Sequence, residues 1–171
     1  MKILGKFNKN KISLSLQKNN LICVAIIIAA FTIDRISKIK IIEHQLVNNR
    51  LYINEFVNFD LIWNTGIGFG LLSLNSTIIY NSITLLIGCV LFFIVYLIIK
   101  AKFLEKFLFS LVLGGALGNF YDRLVYFAVP DFIDLHYQRF HWFTFNIADI
   151  FITLGIITLI AKDLFKKNEK N

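Results

Sequence analysis

Apolar and polar stretches alternate along this chain on the scale of whole helices. The first apolar run is Leu21–Ile33, with helical character expected to about Ile42. Further runs cover Ile78–Ile99, Phe103–Phe120 and Phe145–Ala161. At the rise of an α-helix, Ile78–Ile99 reaches about 33 Å, enough to cross a hydrocarbon core of about 30 Å. The intervening segments are different. In residues 43–77, Val57, Phe59, Leu61 and Trp63 alternate with Asn58, Asp60 and Ile62, which predicts a half-buried strand. Asn64-Thr65-Gly66 should end it in a turn. Residues 121–144 are polar and aromatic and hold the only proline, Pro130. The pattern predicts an all-α membrane protein with four transmembrane helices.

Composition supports a membrane class. Of 171 residues, 57% are hydrophobic, against about 45–50% in ordinary soluble domains. The net charge of +7 would suggest nucleic acid for a soluble protein. Here most lysines flank apolar runs, so they read as topology signals and contacts to anionic phospholipid, and no nucleic-acid partner is expected. Lys2, Lys6, Lys9, Lys11 and Lys18 mark residues 1–20 as a basic arm, expected to be disordered. Residues 21–161 form one transmembrane domain, and 162–171 a basic tail. The positive-inside rule puts both termini in the cytoplasm and segments 43–77 and 121–144 outside. Arg35, Lys38 and Lys40 run against that rule and require partners or snorkelling. A cleaved leader is disfavoured because Asp34 and Arg35 directly follow the first run. Cys23 and Cys89 lie in apolar runs and read as small core residues.

Acids near membrane depth are costly and point to function. Asp149 lies about 13 residues before Lys162, hence roughly 20 Å above the cytoplasmic edge, in the outer third of the core. Asp131 precedes it by a loop that can return to the same level. Two carboxylates that meet can share a proton and activate water for peptide hydrolysis without metal. The competing reading is that Asp149 caps or pairs structurally near a helix start. Gly114 and Gly118 form a small-xxx-small pattern suited to close helix packing. Asn119, Asp122 and Arg123 end the third run and need mutual pairing. Asp122 would make a clamp with Arg123, Arg35 or Lys38, and Arg123 could instead face a substrate carbonyl or lipid head group. Asn64 and Asn146 suit backbone recognition, or are turn and cap residues. His44, His136 and His141 have no paired spacing, and no metal or cofactor is expected of them. Phe127, Phe132, Tyr137, Phe140, Trp142 and Phe143 read as an interfacial belt, or as an apolar surface for a lipid chain.

Five elements in order resemble the lipoprotein signal peptidase (signal peptidase II) family over most of the chain after the basic arm. They are Asp34 with Lys38; Asn64-Thr65-Gly66-Ile67-Gly68-Phe69-Gly70; Gly118-Asn119-Phe120-Tyr121-Asp122-Arg123; Val129-Pro130-Asp131-Phe132-Ile133-Asp134; and Phe145-Asn146-Ile147-Ala148-Asp149. The resemblance implies four transmembrane helices with a small extracytoplasmic β-sheet and an outer interfacial helix. It implies an intramembrane aspartic endopeptidase of the bacterial inner membrane that cleaves prolipoproteins before the diacylglyceryl-modified cysteine, acting as a monomer. Asp131 and Asp149 would be catalytic. Asp34, Lys38, Asn64, Asn119, Asp122, Arg123 and Asn146 would support them or bind substrate. Gly68 stands where the family usually has alanine, which should loosen that segment slightly, and Pro130 stands where an aliphatic residue is more usual, where its missing N–H and fixed φ could alter a strand pairing. The rival readings are a proton-coupled transporter or channel subunit, and a lipid-binding scaffold.

Overall fold

The computed structural model describes residues 2–48, 50–66 and 77–168. Gly68 and the rest of the Ile67-Gly68-Phe69-Gly70 stretch lie outside the described residues. Helix α1 spans Lys2–Val47, followed by strands β1 (Leu51–Tyr52) and β2 (Val57–Asn64). Helices α2 (Thr77–Lys100) and α3 (Phe103–Val125), strands β3 (Val129–Tyr137) and β4 (Phe140–Phe145), and helix α4 (Ile147–Asn168) complete the order. α1 corrects the expectation of a disordered arm, since its backbone is helical from Lys2. The arm has no proline, and its lysines, glutamine and leucines are good helix formers, even though its polar residues suit no core.

Among the described residues two helices, Ile78–Lys100 and Phe103–Val125, are long and apolar enough to cross a membrane. α2 is apolar nearly all round, and Ile78, Leu85, Leu86, Phe92 and Ile99 face outward. Such a surface belongs against lipid or another apolar partner. α1 and α4 carry charged residues along their length, including Asp34, Arg35 and Lys38 on one and Asp149, Lys162 and Asp163 on the other. Among the described residues no further helix corresponds to the expected outer interfacial one.

α3 is the central element and packs against α1, α2 and α4. Leu91, Ile94, Val112 and Leu113 form a buried cluster, with Ile27 and Ile152 packed on it. Glycines set the helix spacing. A Cβ on Gly115 would lie 2.7 Å from the Ala148 carbonyl, and one on Gly114 would lie 2.7 Å from Ala30 Cβ. Gly114 thus serves the α1 contact and Gly115 the α4 contact, as small residues do at close helix crossings.

The sheet is antiparallel in the order β1-β2-β3-β4. The expected strand at Val57–Trp63 is β2. Residues 129–145 fold back on themselves through the two-residue turn Gln138-Arg139, with Gln138 at φ 55°. That positive φ is what a two-residue hairpin turn demands at its first position. Pro130 is accommodated opposite Trp63, while β4 pairs with β3 only from Ile133 onward. The ladder therefore continues through the proline, and β4 makes no demand on its missing N–H.

Candidate active site

α4 begins with a reciprocal cap. The Asn146 side-chain oxygen accepts from the Asp149 backbone N–H at 3.1 Å, and Asp149 Oδ2 accepts from the Asn146 backbone N–H at 3.1 Å. This is the capping-box arrangement with asparagine at the N-cap and aspartate at the third helical position. Phe145 therefore ends β4 rather than beginning the helix, and the apolar run alone misplaced that boundary. The Asn146 amide also donates to Asp131 Oδ1 at 2.5 Å. One fully buried asparagine thus ties together the strand and helix that carry the two acids.

Each remaining acid oxygen receives an amide. Asn64 Nδ2 donates to Asp131 Oδ2 at 2.8 Å, and Asn119 Nδ2 donates to Asp149 Oδ1 at 2.9 Å. Asn64 is held in turn by the Gly66 N–H, which donates to its Oδ1 at 2.9 Å. This is an Asx turn, the predicted chain break. Asp131 and Asp149 line one cavity of about 230 Å³ together with Asn64, Asn119, Arg123 and Thr153. Arg123 donates one nitrogen to the Gly66 carbonyl. Its buried Nη1 has no hydrogen-bond partner among the described residues.

Asp131 is buried, and its carboxyl is pushed up to about 6. Burial is the largest cause, because it penalises the charged form, and the neighbouring Asp149 charge adds to it. The amides of Asn64 and Asn146, and the Lys38 charge, oppose that rise.

Behind this pair lies a second buried cluster that differs in its partners. Lys38 Nζ donates to Asp34 Oδ2 at 2.8 Å, Asp122 Oδ2 at 2.7 Å and Asn119 Oδ1 at 2.7 Å. Arg35 pairs with the other oxygen of Asp122 and lies 4.6 Å from the Tyr121 ring centroid. Asp34 Oδ1 accepts from the Ala148 N–H at 2.9 Å, satisfying an otherwise orphan donor in the first turn of α4. A Cβ on Gly118 would run into the Asp34 carboxylate, so only glycine lets α3 approach here. Lys38, Asp34 and Asp122 are all fully buried. Arg35 and Lys38 thereby acquire the partners that their positions required, while Lys40 is exposed.

The four aspartates sort into two kinds. Asp34 and Asp122 are ion-paired, whereas Asp131 and Asp149 have amide donors and, among the described residues, no ion pair. All nine residues singled out in the sequence come together at this end of the helices. Of the three bases considered for Asp122, Arg35 and Lys38 pair with it and Arg123 turns to the cavity. The sequence reading missed the Ala148 N–H and the cavity residues Val129, Thr144, Ile152 and Thr153. Thr153, four residues after Asp149, could have been found from helical spacing.

The family model for signal peptidase (SPase) II matches residues 26–165. A lipoprotein signal peptidase of Pelagibacter ubique (strain HTCC1062) is 49% identical, over 95% of this chain and 99% of that protein. One from Anaplasma phagocytophilum (strain HZ) is 35% identical, over 90% of this chain and 99% of that protein. A solved structure described as a bacterial membrane enzyme obtained by the in meso method at 2.3 Å resolution has a TM-score of 0.73 and 31% identity. It covers 87% of this chain and 91% of that one.

Proposed function

The chain belongs to the signal peptidase II family, and from that premise we propose that it is an intramembrane aspartic endopeptidase. It is a peptidase that removes signal peptides from lipoproteins. In this reading it cuts before the diacylglyceryl-modified cysteine, with Asp131 and Asp149 as the catalytic pair. The observation that carries the reading is the cavity shared by these two acids, each held by amides and, among the described residues, left without a cation of its own.

Two neighbouring buried carboxylates favour holding one proton between them. The ionised member takes a proton from a water in the cavity as the water oxygen attacks the scissile carbonyl. The protonated member donates to the developing oxyanion, and a proton then passes to the leaving amine as the C–N bond breaks. The elevated Asp131 carboxyl, at about 6, is suited to carrying a proton near neutral pH. Arg123 Nη1 and Asn64 supply donors for the substrate backbone. An apolar groove of about 300 Å³, lined by Phe143, Phe145, Ile150 and Leu154, meets the cavity at Asp149. It suits the apolar side chains of a signal segment arriving from the bilayer.

The same reading takes all four helices as spans of a bacterial inner-membrane protein. Both termini are cytoplasmic, and the sheet is at the outer face. Lysine placement supports that orientation, and the Asp34, Lys38, Asp122 and Arg35 cluster neutralises the charges that α1 and α3 would bring to that depth. The protein acts as a monomer on a lipid-modified prolipoprotein among membrane phospholipids.

The deciding experiment incubates purified protein with a diacylglyceryl-modified precursor and detects the product by mass spectrometry. The expected product has a free N-terminal lipid-modified cysteine. Asp131→Asn and Asp149→Asn should each abolish it while the helical circular dichroism is retained. Full activity in either variant would refute the catalytic assignment. A proton-coupled transporter or a lipid scaffold would generate no such product.

A further inference from the structure

We propose that Asp134, His136 and His141 form a binding site for a late first-row divalent transition-metal ion of the Zn²⁺ type. The site lies on the face of the sheet turned away from Asp131. At both register shifts along β3 the extra residues lie on the neighbouring strands β2 and β4, so β3 itself alternates: Asp134 and His136 share a face and Asp131, three residues from Asp134, points to the other. β4 contributes His141 through a bulge. Leu135 opposes Phe143, but His136 opposes His141, which leaves Trp142 as the extra residue. Without the bulge His136 would face position 142. Bulges characteristically re-aim a side chain in this way.

The donor atoms of the three residues lie within 4.8 Å of one another. His141 Nδ1 lies 2.8 Å from Asp134 Oδ2, and His136 Nδ1 lies 3.6 Å from the same oxygen. Around a metal with bonds of about 2.1 Å, tetrahedral ligand atoms are spaced by about 3.4 Å. Small movements of the exposed His141 side chain meet that requirement.

A second observation points to a ligand. His136 is 5% exposed, and its Nδ1 has no hydrogen-bond partner among the described residues. The 3.6 Å approach to Asp134 is too long for a hydrogen bond. On the other side of the ring, Nε2 lies 3.3 Å from the Asn58 amide nitrogen, and the buried Asn58 Oδ1 is likewise unpartnered. With a metal on Nδ1, the imidazole proton moves to Nε2, and a turn of the Asn58 amide lets Oδ1 accept it. That is how metal-binding histidines are usually oriented from behind. The exposed edge at His141 leaves a fourth position for water. Two imidazoles and a carboxylate suit Zn²⁺ and its neighbours rather than Mg²⁺ or Ca²⁺.

The test uses untagged full-length protein in detergent micelles, titrated with Zn²⁺ by calorimetry and with Co²⁺ by visible absorption. One Zn²⁺ per chain is expected in the micromolar range, with Co²⁺ d–d bands. His141→Ala should weaken binding about tenfold or more and remove the bands. Because its side chain is half-exposed, this variant decides the case even if Asp134→Asn fails to fold. The Asp131→Asn/Asp149→Asn double variant should bind Zn²⁺ as the parent does. Absence of stoichiometric binding, equal binding by His141→Ala, or loss of binding in the double variant would each overturn the proposal.

Discussion

The side-chain amide of Asn146 lies 2.5 Å from Asp131 Oδ1. The same residue caps α4 and holds the Asp149 carboxylate through its own backbone N–H. Asn146→Ala removes a helix cap, worth about 1 kcal/mol, and a hydrogen bond to a charged group, worth about 1.5–3 kcal/mol. Peptidase activity should fall by roughly 10² or more, as when a positioned donor is lost. Asn146→Asp keeps a capping oxygen but places a third carboxyl beside the pair. It should retain most of the thermal stability and still lose activity. Paired melting curves and precursor-cleavage rates would check both variants.

Asp131 should show a trade between stability and activity. Its carboxyl ordinarily titrates at 3.8 but at about 6 in the folded protein. The folded state therefore binds more protons than the unfolded state across that window, and stability falls as pH rises through it. The penalty is absent below 3.8 and complete above about 6, and amounts to roughly 3 kcal/mol. Asp131→Asn escapes it. The stability of this inactive variant relative to wild type should improve by about that amount between pH 4 and pH 7. Thermal unfolding in micelles at the two pH values measures the difference, and a pH-independent difference would contradict the assignment.

Asn64 tunes the same group from the opposite side. Its amide favours the ionised form of Asp131. Asn64→Leu should therefore raise the Asp131 carboxyl further. The limb of the pH–activity profile that reports Asp131 should move to higher pH, as seen in kcat/KM for a soluble lipopeptide substrate.

Lys38 binds three acceptors from a fully buried position. Lys38→Met would strand Asp34 and lose one of the two cations on Asp122. Breaking a buried pair in this way costs about 3–5 kcal/mol. Adding Asp34→Asn to Lys38→Met should recover part of the loss, and the melting temperatures of the single and double variants provide the comparison.

Gly118→Ala tests the close approach of α3 to Asp34. The new methyl group must displace a carboxylate that also holds the Ala148 N–H. Overpacking of this kind costs about 1–3 kcal/mol. Activity should fall alongside stability, because Ala148 directly precedes Asp149.

Legibility in the sequence differed among elements for physical reasons. Ile78–Ile99 and Phe103–Phe120 were readable because apolar runs of such length have few other uses. α3 nevertheless continues to Val125, since Asp122 and Arg123 turn inward to partners that no local pattern discloses. β2 was readable from alternation. β3 showed none because Val129, Pro130, Asp131 and Phe132 are all buried, on both faces of the strand. The bulge that brings His141 beside His136 left no signal in the linear spacing.

By itself the sequence determined that the backbone would be mostly helical along the apolar runs, because a buried peptide group must find its hydrogen bonds close by. It also determined which side chains could carry acid, base or amide chemistry. Only the tertiary structure decided which aspartates are neutralised and which face an open cavity. Lys38 and Asn119 are 81 residues apart and Asn64 and Asp131 are 67 apart, yet electrostatic energy depends on separation in space and on exclusion of water. Asp34 and Asp122 fell beside cations, while Asp131 and Asp149 fell among amides, and no count along the chain distinguishes those outcomes.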